Sequence, residues 1–162
     1  MFALSLPLTW AAWHPAISHF PIAFLCLAPV LIAVALGNPA QRRVLVGVAF
    51  WVLVAGTVGI YLSAMAGDAA REVAPKTPEV VKAIEAHEHL GEIIRAVFTA
   101  LALLLGILHY GPRFLKKELS GRVFGLCAGA FLLLNLAATL VLANAAHTGG
   151  VLVHRLGVHA KL

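Results

Sequence analysis

Eight histidines are the residues of this sequence whose chemistry is most informative. Seven lie at one end of the apolar segments described below: His14, His19, His87, His89, His147, His154 and His159. Only His109 lies at the other end. Imidazole is a ligand of haem iron and of copper and zinc. Because an ionisable side chain at membrane depth is costly, such a residue marks a functional site by default. The pattern therefore predicts a cofactor site at one end.

Four histidines form the expected ligand set, with their side chains pointing between the helices: His19, His87, His147 and His154. His14 is a further cofactor-binding candidate, and we expect it nearer the surface. His87 and His89 are about 200° apart on a helix, so both cannot face the same site. His87 is preferred because Gly91 follows one turn later and leaves room for a flat macrocycle. His89, His109 and His159 are expected at interfaces.

Two cofactors suit such a set, and the sequence leaves the choice open. Haem b needs two neutral imidazoles that approach one iron from opposite sides. Imidazole also suits copper or another transition metal. The two methionines give copper little further support, although Glu85, Glu88 and Glu92 are near the histidines. A third alternative is a structural accessory subunit whose histidines are only interfacial.

The elements that must position these histidines are four apolar segments. The chain is 61% hydrophobic and only 12% charged, about half the charged fraction of an ordinary soluble domain. The segments cover about 16–36, 44–66, 92–110 and 123–146, each long enough to span a bilayer as a helix. We therefore expect an all-α integral membrane four-helix bundle, with residues 1–162 forming one transmembrane domain and an amphipathic tail at the C-terminus.

Local signals set the expected helix ends. Thr77 followed by Pro78 is typical of a helix start, and predicts an amphipathic helix that runs into the third span. The second span should end at Gly67-Asp68, and Gly149-Gly150 should break the fourth. Small residues at Gly56 and Gly59, and at Gly125 and Gly129, indicate helix packing faces. These glycines need no cofactor to explain them.

Basic residues predict the orientation in the membrane. The loops 37–43 and 112–122 carry six Lys and Arg in eighteen positions, whereas the opposite side carries six over about three times that length. By the positive-inside rule the basic loops are cytoplasmic. Both termini and the acidic segment 68–92 then face outwards, from a bacterial inner membrane. The first fifteen residues contain no Lys or Arg, so we expect no cleaved signal peptide.

Several classes of function are excluded by what the sequence lacks. Cys26 and Cys127 lie within apolar runs, which rules out a disulfide scaffold. No C-x-x-C-H motif is present to attach a c-type haem covalently. We find no catalytic triad order, zincin helix, Walker loop or dinucleotide fingerprint. The net charge of +5 comes from short membrane loops and does not indicate nucleic-acid binding.

Three short motifs occur in order along the chain. They are His14-Pro15-x-x-x-His19-Phe20-Pro21, His87-Glu88-x-Leu90-Gly91, and the segment from His147-Thr148-Gly149-Gly150 to His154-x-x-Gly157. Together they resemble a family of small bacterial four-helix membrane proteins catalogued as a domain of unknown function. The resemblance implies a haem- or metal-binding partner of redox systems. It supports His14, His19, His87, His147, Gly149, Gly150 and His154 as site residues.

We therefore expect a b-type cytochrome-like membrane subunit with one or two non-covalent haems near the outer face. Gly91, Gly149 and Gly150 would border the cofactor. The subunit would pass electrons within a larger system of membrane or periplasmic redox subunits, and a homo-oligomer is a further expectation. Electron transfer, rather than stand-alone catalysis, is the activity that the sequence favours.

Overall fold

The computed structural model describes residues 9–158, which form four long α-helices. These are α1 (Trp10–Gly37), α2 (Arg42–Val73), α3 (Pro78–Phe114) and α4 (Gly121–His154). No strand occurs within these residues. The predicted all-α four-helix fold is confirmed.

Three of the helices begin at a hydroxyl side chain that caps the first turn. Thr9 accepts a hydrogen bond from the Ala12 amide at 3.3 Å, and Ser120 accepts one from Val123 at 3.3 Å. Thr77 accepts from Val80 at 3.4 Å, and Pro78 follows it in the first turn. Each hydroxyl thus satisfies one of the amides that a helix start leaves unpaired. The predicted start at Thr77 is confirmed.

All four helices are long and apolar enough to cross a membrane. They contain 28, 32, 37 and 34 residues, or about 42–55 Å, against a hydrocarbon core of about 30 Å. Helix ends must therefore project beyond the hydrocarbon. The helix α2 continues past Gly67-Asp68, the predicted end of the second span, to Val73. That extension is held by an ion pair between Arg71 and Glu88 of α3, at 2.7 Å.

The predicted break at Gly149-Gly150 is wrong, since α4 continues through both glycines to His154. A glycine costs a helix only about 1 kcal/mol relative to alanine. Packing beyond the pair offsets that cost. Leu152 is buried in a small apolar cluster with Ala74, Val80 and Ile84. Part of the expected amphipathic tail is therefore the last turn of α4.

The helices form an antiparallel bundle in which α1 and α3 each pack against α2 and α4. The main core includes Leu25, Leu53, Phe98 and Phe124, all nearly or fully buried. Gly56 and Gly59 give α1 its close approach to α2. A methyl group at Gly59 would lie only 3.1 Å from Pro21 Cβ.

The glycines of α4, Gly125 and Gly129, do not form the helix packing face that the sequence predicts. No atom lies within 4 Å of the position that a side chain on Gly129 would take. A methyl group at Gly125 would instead lie 2.5 Å from the Arg42 guanidinium. The packing prediction holds for α2 and is wrong for α4. Gly125 accommodates the charged side chain of Arg42, from the start of α2, and not the close approach of another helix backbone.

Arg42 joins three elements at the basic end of the bundle. Its guanidinium donates to the carbonyls of Ala35 and Leu36, at 3.4 and 3.3 Å, which end α1. It also donates to the carbonyl of Gly121 at the start of α4, at 3.0 Å. The bonds to Ala35 and Leu36 therefore satisfy carbonyls that the end of α1 leaves unpaired.

Candidate functional site

A polar layer crosses the bundle between the main core and the small apolar cluster around Leu152. Every helix contributes to it. We define the polar layer as His14, Ser18, Ser63, Gly67, His87, Thr148 and Gly149. Polar side chains in a helical bundle are costly unless they are hydrogen-bonded, so their partners decide what the layer can do.

His14 is held by α2. Its Nδ1 lies 2.9 Å from the carbonyl oxygen of Ser63, and the ring lies over Gly67, where a methyl group would be 3.1 Å from Cε1. The Ser18 hydroxyl is 2.6 Å from the Ser63 hydroxyl and 2.6 Å from the His14 carbonyl. A carbonyl only accepts, so Nδ1 carries the proton of the neutral ring and Nε2 keeps its lone pair.

His87 reaches the same protonation by a different route. Its Nδ1 lies 3.0 Å from the hydroxyl oxygen of Thr148, and that hydroxyl donates its only proton to the Ala145 carbonyl at 2.9 Å. The hydroxyl must therefore accept from the imidazole, which places the proton on Nδ1. A methyl group at Gly149 would be 3.1 Å from His87 Cε1. His87 Nε2, like that of His14, keeps its lone pair.

The two imidazoles come from opposite corners of the bundle, because α1 and α3 each pack on α2 and α4. Gly91 lies about one turn from His87 on α3. No atom lies within 4 Å of the position that its side chain would take. The layer thus presents two ligand nitrogens with open space at Gly91.

The other predicted ligands do not face this layer. His19, His147 and His154 are exposed, so the expectation that they point between the helices is wrong. His19 is rotated by about 140° from His14 on α1, and its Nδ1 pairs with the Pro15 carbonyl of its own helix. His14 was expected nearer the surface and is instead the half-buried one. On α4 it is Thr148, and not His147, that faces His87.

The histidines predicted at interfaces have different surroundings. The His89 side chain is 73% exposed and lies 3.9 Å from Glu92, so it faces outwards as expected. His109 lies at the basic end, packed against Gly47 and edge-on to Tyr110. Its Nδ1 is buried without a hydrogen-bond partner in the part of the chain that the structure describes. His159 lies outside the described residues.

Sequence reasoning missed four members of the layer: Ser18, Ser63, Gly67 and Thr148. A hydroxyl within an apolar run is a signal that could have found Ser18 and Ser63. Their hydrogen bonds, however, depend on which helix faces which. Within residues 9–158, no three His, Cys, Asp or Glu side chains are grouped so that they could hold a metal ion. The layer therefore offers two protein ligands.

Four membrane-length helices around a polar layer define an integral membrane four-helix bundle. The chain belongs to the family described as "Predicted membrane protein (DUF2231)", whose family model matches residues 11–162. No curated protein and no solved structure matches the chain. The family description supports a place in the membrane and says nothing of a cofactor.

Proposed function

We propose that this chain is a haem-binding membrane subunit, and that His14 and His87 would hold the haem iron. One observation carries the proposal: each Nδ1 is hydrogen-bonded to an oxygen acceptor, which leaves each Nε2 free to bind iron. Metal-ligating histidines almost always donate their other ring nitrogen in this way. Bound haem would supply one-electron redox chemistry, as in a b-type cytochrome.

The number of ligands favours haem over a bare metal ion. A porphyrin occupies four positions around iron itself, so the protein needs to supply only two. Protein zinc sites use three or four protein ligands, and blue-copper sites use two His with a Cys. The layer supplies two imidazoles, and both cysteines, Cys26 and Cys127, are exposed. Copper is the alternative that the experiment below separates.

The fit of a macrocycle rests on the residues around the two rings. Gly67 and Gly149 lie directly against the imidazoles of His14 and His87, so backbone contact would position the two proposed ligands. Gly91 and Gly150 have no atom within 4 Å of their missing side chains, so neither position would obstruct an apolar ring beside it. The chain's own residues would orient the ligands through Ser63 and Thr148.

The subunit would exchange electrons with membrane or periplasmic redox partners. The polar layer lies at the end of the bundle opposite the basic loops, so the proposed site is near the outer face if those loops are cytoplasmic. His19, His147 and His154 are exposed at that same end. They would contact lipid, a partner subunit or a second copy of this chain.

The orientation has its own test. If the chain lies in a bacterial inner membrane with both termini outside, a single cysteine at Pro75, which is exposed between α2 and α3, should react with an impermeant reagent in intact cells. One at Ser120 should react only after the membrane is opened. Cys26 and Cys127 would be replaced in both variants. The reverse pattern of labelling would show that the orientation is inverted.

The cofactor is tested by the visible spectrum of the protein purified after expression with added haem. We expect a Soret band and a bis-histidine reduced-minus-oxidised spectrum. His14→Ala or His87→Ala should abolish or change it, whereas His109→Ala at the other end should leave it unchanged. A bound metal without a Soret band would support copper. If the purified protein shows no Soret band and contains no metal, the remaining alternative is a structural accessory subunit.

A further inference from the structure

An apolar cavity of about 570 Å³ lies between α2 and α3, away from the polar layer. Phe50 and Gly106 form its floor, Tyr61 and Thr99 lie at one end, and Tyr110 and Phe114 lie at the other. From Thr99 to Phe114 the groove extends about 22 Å along α3. That length exceeds the roughly 15 Å of hydrocarbon in one leaflet. The groove therefore has the length of an extended hydrocarbon chain.

The polar atoms at both ends of the groove are already hydrogen-bonded. The Tyr61 hydroxyl lies 3.1 Å from the Thr99 hydroxyl, and the Trp51 indole donates to the Tyr110 hydroxyl at 3.1 Å. Phe50 packs edge-on against Tyr110, and so the floor is aromatic. What remains exposed within the groove is almost entirely apolar, which suits a hydrocarbon occupant.

A positively charged side chain, Arg113, lies at the end of the groove nearest the basic loops. The Arg113 guanidinium lies over the Tyr110 ring, 5.8 Å from its centre. It forms no ion pair with any side chain that the structure describes. Glu118, the single acidic residue of the loop 112–122, pairs with Arg43 at 3.3 Å instead. Lys116 and Lys117 add two further exposed positive charges.

We propose that this groove binds an anionic phospholipid, with an acyl chain along α2 and α3 and the phosphate on Arg113. Arginine pairs with phosphate oxygens through two parallel hydrogen bonds. Basic residues beside a membrane helix attract anionic lipids. The tyrosine below the guanidinium suits the boundary between headgroup and hydrocarbon, where aromatic residues concentrate. The assignment does not depend on haem binding at the polar layer.

The test is lipid retention by the full-length protein in native mass spectrometry. Phosphatidylglycerol and phosphatidylcholine with identical acyl chains are offered as separate probes. We expect phosphatidylglycerol to be retained at least about fivefold more than phosphatidylcholine, as one basic contact at a membrane surface implies. Arg113→Gln should remove the difference. Arg122→Gln is the matched control, because that charge is on the same membrane side but belongs to α4, whereas the groove is lined by α2 and α3 and Arg113 lies over its Tyr110.

A second pair of variants tests the groove itself. Val58 lines the cavity and is 54% exposed, so Val58→Trp should fill the groove and reduce retention. Leu133 on α4 is 69% exposed on another face, and Leu133→Trp should change nothing. Equal retention of the two lipids would overturn the proposal. So would equal losses from Arg113→Gln and Arg122→Gln, or from the two tryptophan variants.

Discussion

The two ends of the bundle use the same way of packing a histidine, with different chemical results. His14, His87 and His109 each lie against a glycine of the neighbouring helix, namely Gly67, Gly149 and Gly47. At the polar layer both imidazoles have an oxygen partner at Nδ1. At the basic end His109 has none among the described residues, and Tyr110 lies edge-on to its ring. A glycine opposite a histidine therefore provides space, and an oxygen partner at Nδ1 is what would leave Nε2 free to act as the proposed ligand.

The first way to sharpen this comparison is to remove a partner and keep the imidazole. Thr148→Val deletes the oxygen that holds His87 and should lower haem affinity about 10–100-fold, as loss of such partners commonly does. Thr148→Ser should restore most of it. Haem titration followed at the Soret band measures the effect. Thr139→Val is the matched control, since that hydroxyl donates to the Asn135 carbonyl on the same helix. Equal affinities for Thr148→Val and the wild type would contradict this role.

Arg42 stabilises the basic end of the bundle through its hydrogen bonds, and the hydrogen bonds of the polar layer stabilise the opposite end. Arg42→Gln should remove bonds to three carbonyls and destabilise the fold, by about 1.5–3 kcal/mol for even one charge-assisted bond. Denaturation in mixed micelles measures the change. Arg122→Gln should have little effect, because it has no such bonds within residues 9–158. If Arg42→Gln changes the haem spectrum while the protein remains fully folded, the two ends of the bundle are not independent.

Alanine substitutions at the glycines that face His109 and His87 test whether each contact affects only packing or also the proposed haem site. Gly47→Ala places a methyl group 2.8 Å from His109 and should destabilise the fold by about 1–3 kcal/mol through overpacking. The haem spectrum should stay unchanged. Gly149→Ala, at 3.1 Å from His87, should instead shift the spectrum or weaken haem binding. Thermal unfolding and difference spectra of both variants would be compared. A spectral change from Gly47→Ala alone would reverse the assignment of the two ends.

Asn135 tests the main core, between the two ends. It is fully buried, and both polar atoms of its amide lack a hydrogen-bond partner among the described side chains and backbone. Replacing an unsatisfied buried group with an apolar one of similar shape is often stabilising. We expect Asn135→Leu to raise stability by about 1 kcal/mol, measured by denaturation. A clear loss of stability would show that the amide has a functional partner.

The sequence predicted the parts of this molecule that depend on composition along the chain. Four apolar runs identified four helices, and Thr77 with Pro78 identified the start of α3, because these signals are local. The presence of His14 and His87 in the polar layer depends on how each helix is rotated about its axis. His14 and His19 differ by about 140° in that rotation, and only the packing against α2 decides between them. The path of α4 through Gly149-Gly150 depends likewise on contacts with α3.

Arg42 also bears on how the protein is assembled in the membrane. Two of its bonds, to the carbonyls of Ala35 and Leu36, lie within the hairpin of α1 and α2. Only the bond to Gly121 requires α4. The first two helices can therefore enter the bilayer as a finished hairpin, with the helix end beside the turn already satisfied. The Nη1 group of the same guanidinium then remains for α4, so docking of the last helix completes a contact that the first pair has prepared.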